Sequence, residues 1–218
     1  MTITWLGHAA FLITTAEGRA IITDPYEAGA YGGALAYQPI THTADVVTVS
    51  HQHADHYHPQ GIQGHPQIVM GAGAHQAGGF TIKGIAAFHD PSEGAERGDN
   101  TMFVFNVDGL SVCHFGDLGH IPDEQQMAEL GHVDVALIPV GGCYTIDARE
   151  ATQIIETLAP PVVIPMHYKT DACAFPIAAV DDFLRGKTHV HRPGRSELAL
   201  TKDRLPATTH IYVLEHQL

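Results

Sequence analysis

Apolar residues near the N-terminus come in short runs separated by turn residues. Thr2–Leu6, Ala9–Thr15 and Arg19–Thr23 read as strands, with turns at Gly7-His8 and Glu17-Gly18. A Gly, Ala, Pro and Tyr rich stretch over 25–44 reads as a loop. Val46–Val49, Val-Val-Thr-Val, is a largely apolar run and reads as a buried strand. Gln67–Met70 and Thr81–Phe88 are further strands. Met102–Val107 and Leu110–Phe115 flank Asp108-Gly109, a tight-hairpin signal. The pattern then changes. Asp123–Leu130 opens on an acidic turn and stops at Gly131, which predicts a helix. Asp147–Leu158 opens with Asp147 and Glu150, a capping-box pair, and stops before Pro160-Pro161. Ile177–Leu184 is a third helix, ending at Gly186. Val133–Val140, Val162–Pro165, Ser196–Thr201 and His210–Glu215 complete the strands. Early strands followed by β-α-β-α predict a layered α/β architecture.

Four of these apolar runs end in residues that can bind a metal. Val46–Val49 leads into His51-Gln52-His53-Ala54-Asp55-His56, three imidazoles and a carboxylate within six residues. Ile85–Phe88 leads to His89, Leu110–Phe115 leads through Gly116 to Asp117, and Val162–Pro165 leads through Met166 to His167. Surface histidines have no reason to follow strand ends, whereas α/β proteins commonly build sites there. Residues 51, 53 and 55 alternate, so an extended or turning backbone can aim them to one side. Neutral imidazole and carboxylate suit a borderline divalent metal. Four such groups exceed what one open site usually takes from so short a stretch, so two adjacent metals are expected.

Length and charge narrow the reading. At 218 residues the chain can bury one sizeable core, and no linker or repeat divides it, so a single domain over 1–218 is expected. Lys and Arg number 11 against 24 Asp and Glu, for a net charge of −13, and no basic run is present. A nucleic-acid partner is therefore not expected. No apolar run approaches the roughly 20 residues of a membrane span, so no membrane association is expected. The start lacks a secretory pattern, so a cytoplasmic chain is expected. Cys113, Cys143 and Cys173 form neither a disulfide framework nor a CxxC site. Cys143, in Gly141-Gly-Cys-Tyr144, could reach a site but has no base beside it.

The motif His51, His53, Asp55, His56, with His89, Asp117 and His167 following in order, resembles the HxHxDH signature of the metallo-β-lactamase-fold hydrolases. Asp24, in Thr23-Asp24-Pro25, is similar to the early structural Asp of that superfamily. The resemblance spans nearly the whole chain and implies a four-layer αββα sandwich with a dinuclear metal site. It implies that His51, His53 and His89 bind one ion, that Asp55, His56 and His167 bind the other, and that Asp117 bridges them. It also implies a shared water that becomes a hydroxide nucleophile, with Asp55 both anchoring metal and orienting that water. The ions are expected to be Zn2+, with Mn2+ and Fe2+ accepting the same donors. Asp24 is expected to fix the histidine loop. The opening Thr4-Trp5-Leu6-Gly7-His8-Ala9 resembles a branch of small metal-dependent hydrolases related to the ascorbate-phosphate lactonases.

The expected function is hydrolysis of an ester, lactone or phosphoester bond in a small-molecule substrate. The alternative is a non-catalytic metal-binding or interaction protein on the same fold. Oxygen- or nitric-oxide-reducing diiron proteins of this fold carry an acidic residue where His53 stands. The nucleases carry a large insertion between the last Asp and the last His, for which 117–167 has no room.

Other residues carry weaker expectations. His120 and Tyr144 are expected over the metals as catalytic donors to a leaving group. His8 can line the cleft, support a ligand or tie the first hairpin. His114 is expected to be buried behind the ligands. Arg97 can clamp an anionic group or face solvent, and Lys169 can contact substrate. Asp147 is read as a helix N-cap.

Overall fold

The computed structural model describes residues 1–218. In chain order the strands are β1 (Thr2–Gly7), β2 (Ala10–Thr14), β3 (Ala20–Thr23), β4 (Val46–Val49), β5 (Gln67–Met70), β6 (Gly73–Ala77), β7 (Phe80–Phe88), β8 (Asp99–Val107), β9 (Leu110–His114), β10 (Val135–Pro139), β11 (Val162–Met166), β12 (Val190–His191), β13 (Glu197–Ala199) and β14 (His210–Tyr212). The helices are α1 (Ala30–Gly33), α2 (Glu124–Leu130), α3 (Ala148–Leu158) and α4 (Val180–Leu184).

The strands form two sheets. A six-stranded sheet runs β13-β1-β2-β3-β4-β5, antiparallel up to β3 and parallel from β3 to β5. An eight-stranded sheet runs β12-β14-β11-β10-β9-β8-β7-β6. It is antiparallel from β6 to β9 and parallel from β9 to β12. Strands buried on both faces read as near-continuous apolar runs. β4, β10 and β11 are each fully buried along their length. The largest apolar cluster lies between the sheets, joining Ile3, Trp5, Phe11 and Ile21 to Phe103, Phe105, Val112 and Leu137.

The outer layers differ. On the eight-stranded sheet α2 packs against β7, and α3 packs against β10 and α4. Both α2 and α3 open with a complete capping box, Asp123 with Gln126 and Asp147 with Glu150. The outer face of the six-stranded sheet is covered mainly by the 25–44 segment. Tyr26, Leu35, Tyr37 and Ile40 pack on Leu6, Ile22, Val47 and Val49. Here α1 is a single turn with left-handed Tyr31 and Gly32. The α/β sandwich expected from the sequence is present, with a loop in place of a full helical layer on this face.

Most of the expected elements are found, with shifted ends. The third helix starts at Val180, not Ile177. Ala178 N–H donates to Gly141 O and Ala178 O accepts from Lys169 N–H, so the preceding residues are held extended. The hairpin at Asp108-Gly109 has φ of 51° and 77°, which fits a type I′ turn. No helix is long and apolar enough to cross a membrane.

Candidate metal centre

All seven sequence candidates meet at one rim of the sandwich. His51, His53, Asp55 and His56 follow β4 of the six-stranded sheet, whereas His89, Asp117 and His167 follow β7, β9 and β11 of the other. The motif is not a continued strand. His56 N–H donates to His53 O at 2.9 Å, and this turn fans the side chains into two groups. The metal-binding atoms of His51, His53 and His89 lie within 4.8 Å of one another, and so do those of His8, Asp55, His56 and His167. Asp117 stands between the groups. Its Oδ2 is 3.1 Å from His56 Nε2, 3.3 Å from both His89 Nε2 and His167 Nε2, and 3.9 Å from His51 Nε2. His8 is the addition; its place at a turn between strands gave no indication which group it would join.

Buried partners fix these side chains. Asp24 accepts from Ser50 N–H at 2.8 Å, Ser50 Oγ at 2.6 Å and His56 Nδ1 at 2.8 Å, which turns His56 Nε2 toward Asp117. Ser50 Oγ also lies 3.0 Å from His51 Nδ1. Such partners set the tautomer and orientation of a histidine ligand. Behind Asp117, Asn100 donates to Phe115 O and accepts from Asp117 N–H, each at 2.9 Å. His114 donates from Nε2 to Ala9 O at 2.8 Å and accepts Gly116 N–H on Nδ1 at 3.2 Å. Gly116 (φ +57°) leaves no room for a side chain, since a Cβ would lie 2.4 Å from Asn100 Oδ1. His8, Asp24 and His167 hold left-handed backbone at φ of 50°, 38° and 51°. Strain of this kind persists where surroundings over-determine the conformation.

Burial sets the charge state of His8 and His51. It lowers His51 to about 3 and His8 to about 4, so both imidazoles stay neutral with a lone pair at neutral pH. Burial also opposes charge on His56, but the carboxylates of Asp117 and Asp55 outweigh it and raise His56 well above the usual histidine range. Asp117 is likewise opposed by burial, and His167 and His56 hold it well below the usual carboxylate range.

The cluster floors a cavity of about 350 Å³, whose lining includes His53, Asp55, His89, Asp117 and His167. Tyr31, Arg97, Tyr144 and Phe175 form the remaining wall. Tyr144 thus reaches the cavity. His120 does not line it and is not placed to act as a donor there. Its Nε2 accepts Phe88 N–H at 3.1 Å and its Nδ1 donates to Ile121 O at 3.0 Å. The end of β7 needs an acceptor, and His120 supplies it. Lys169 is exposed and donates to Phe175 O at 2.9 Å, away from the cavity lining. Cys143 is exposed and outside it. Tyr31 and Phe175 went unnoticed in the sequence because neither motif nor strand-end position marks them.

The donor set fits divalent metal. His51 Nε2, His56 Nε2, His167 Nε2 and Asp117 Oδ1 are buried without a hydrogen-bond partner. Each such orphan costs about 1–3 kcal/mol, and a cation held among them satisfies several at once. Nitrogen and carboxylate donors without thiolate match zinc, manganese or iron.

The two-sheet fold and the paired His/Asp clusters at its rim are those of a metallo-β-lactamase-type protein with a candidate metal site. The chain belongs to this superfamily, since the family model for the beta-lactamase superfamily domain matches residues 2–167. It is 32% identical over 209 residues to a metal-dependent hydrolase of Carboxydothermus hydrogenoformans, covering 83% of this chain and 88% of that one. It is 34% identical over 200 residues to one from Methanoculleus marisnigri, covering 78% and 82%. A proposed Zn-dependent hydrolase of the metallo-β-lactamase superfamily from Thermotoga maritima superposes with a TM-score of 0.80 at 40% identity, over 98% of both chains.

Proposed function

We propose that this site holds two divalent ions, zinc in the first instance, and hydrolyses an ester, lactone or phosphoester bond of a small molecule. His51, His53 and His89 would hold one ion, Asp55, His56 and His167 the other, and Asp117 would serve both. The observation that carries the reading is Asp117 Oδ2, which lies within 3.1–3.9 Å of imidazole nitrogens from both groups. When bound, such a pair of cations supplies an acidified water and a Lewis acid for charge developing on a substrate oxygen.

The chain's own residues do the positioning. Asp55 has both oxygens engaged, Oδ2 with His8 and Oδ1 with Tyr31, so its carboxylate points in a fixed direction beside the cavity. A carboxylate so held can accept a hydrogen from the attacking water and fix its approach. Tyr144 lines the same cavity, and its hydroxyl can donate to a leaving oxygen. The cavity volume and the net charge of −13 favour a small molecule over a nucleic acid.

Metal analysis and turnover test the reading together. Protein purified without chelator should contain close to two ions per chain. It should cleave a generic aryl ester or aryl phosphodiester, lose that activity on chelation and regain it on reloading. Two bound ions with no turnover of either probe would identify a non-catalytic metal-binding protein instead.

A further inference from the structure

We propose that Arg97 and the aromatic wall beside it form a recognition subsite for an organic oxyanion: a carboxylate or phosphate group carried on a small apolar body. The inference names the substrate class of the hydrolase site and rests on that reading of it.

The chain has only 11 Lys and Arg. One of them, Arg97, stands in the cavity wall, and no Lys joins it there. Its position is built rather than accidental. Asp90, which is buried, accepts backbone N–H groups from Ser92, Gly94, Glu96 and Arg97 at 2.7–3.0 Å. That carboxylate winds the loop after His89 into a fixed shape and delivers Arg97 back to the cavity that His89 floors.

The guanidinium is held over an aromatic face yet retains free donors. Its carbon lies 5.7 Å from the centre of the Tyr144 ring, within cation–π range. Its one side-chain hydrogen bond is to Glu96, at 3.4 Å in an exposed pair. Exposed pairs of this kind contribute little, so Glu96 does not compete strongly for the fork. The aromatic wall then continues. The Tyr144 ring meets Phe175 edge-on at 6.0 Å, and Phe175 meets Tyr31 edge-on at 5.3 Å. Tyr31 in turn donates to Asp55 at 3.0 Å. One wall therefore runs from a cation, over three aromatic faces, to the metal cluster. A planar fork suits carboxylate or phosphate oxygens in paired hydrogen bonds, and the aromatic faces suit the apolar body between that anion and the scissile bond. The volume of about 350 Å³ is at the lower end for small-molecule sites and keeps the ligand small.

Calorimetry on metal-loaded protein tests this directly, with phenylphosphonate and 4-phenylbutyrate as oxyanion probes and 4-phenylbutanol as the neutral control. Wild type should bind an oxyanion more tightly than the alcohol. Arg97→Met keeps the stem and removes the fork. It should weaken oxyanion binding by roughly 10- to 100-fold, the range for a lost hydrogen bond to a charged group, with metal content unchanged. Arg97→Lys should fall between the two, since it keeps charge without the planar fork. The tighter of the two oxyanions distinguishes phosphate from carboxylate chemistry. Equal oxyanion affinity in wild type and Arg97→Met, or no preference over the alcohol in wild type, would overturn the proposal. In parallel, the kcat/KM ratio of an aryl hemisuccinate to an aryl acetate should favour the anionic ester and collapse in Arg97→Met. If neither ester is cleaved by any variant, the hydrolase reading fails while the calorimetry still decides the role of Arg97.

Discussion

His8 and Asp55 lie 47 positions apart in the chain, and His8 Nε2 meets Asp55 Oδ2 at 3.1 Å. His8 is fully buried and neutral, and a carboxylate can only accept, so Nε2–H donates. The left-handed His8 is held through its carbonyl, which accepts from Trp5 Nε1 at 3.0 Å and His167 N–H at 3.2 Å. The bond therefore ties the first hairpin to the middle of the metal motif. His8→Ala should weaken metal binding at the Asp55, His56 and His167 group by roughly 10- to 100-fold, as for other lost partners of ligands. Competition titration with a metal chelator measures it. Affinities unchanged at both groups would refute the positioning role.

Asp117 is the side chain that both clusters face, so its removal should be the most damaging single change. Asp117→Ala should lose one ion per chain and cut turnover by roughly 100-fold or more, on the scale of a lost electrostatic catalytic group. Metal content and rate are read on the same sample. A variant that keeps both ions and full activity would show that Asp117 is not shared.

His120 caps the end of β7 and stands outside the cavity. His120→Ala should lower stability by about 1–3 kcal/mol, because Phe88 N–H loses its acceptor. Turnover per bound metal should stay within a few-fold of wild type. Denaturant unfolding and steady-state rates separate the two effects. A large rate loss at unchanged stability would restore His120 to a role in catalysis.

Asp134 lies just before β10, at the end of the strand away from the metals, and is buried. It accepts from Lys202 Nζ at 2.7 Å, Ser111 N–H at 2.9 Å and His132 Nε2 at 2.9 Å. Burial alone would raise its pKa, but Lys202, Ser111 and His132 outweigh it and the net shift is downward. A carboxylate with a lowered folded pKa stabilises above its unfolded value, about 3.9, and that contribution fades as pH falls through the folded value. Asp134→Asn should cost about 1–3 kcal/mol at pH 7. The difference from wild type should narrow below about pH 4. A pH-independent difference in urea midpoints would argue against the charge as its source.

The residues that the sequence revealed best are those with a strong local cause. β10 and β11 are uninterrupted apolar runs and β4 is broken only by Thr48, and the ends of β4 and β11 deliver His51 and His167 to the rim. Asp147 and Glu150 form the box that their spacing predicted. β6 was not anticipated, because Gly73, Ala74, His75 and Gln76 have little strand character. It exists through pairing with β7. The same holds for two-residue β12 beside β14. At the site, His8, Asn100 and Asp90 act through partners distant in sequence or through loop amides, and no spacing rule encodes such contacts. His120 misled because three positions after Asp117 is close in sequence. Yet Gly119 N–H bonds to Phe88 O at 2.9 Å and carries the loop over the end of β7.

The division of the cluster between sheets has a mechanical consequence. Four of the seven side chains are anchored on one sheet and three on the other, so ions gripped between them would rivet the sandwich shut along this rim. An unfolded chain offers no such paired grip, and the affinity for metal then adds to the affinity of the sheets for each other. With free ion at a thousand times its dissociation constant, one such rivet contributes about 4 kcal/mol, a large part of the 5–15 kcal/mol by which a typical domain is held together. Melting temperature would then follow metal concentration, and scarcity of metal would loosen the rim as well as silence the chemistry.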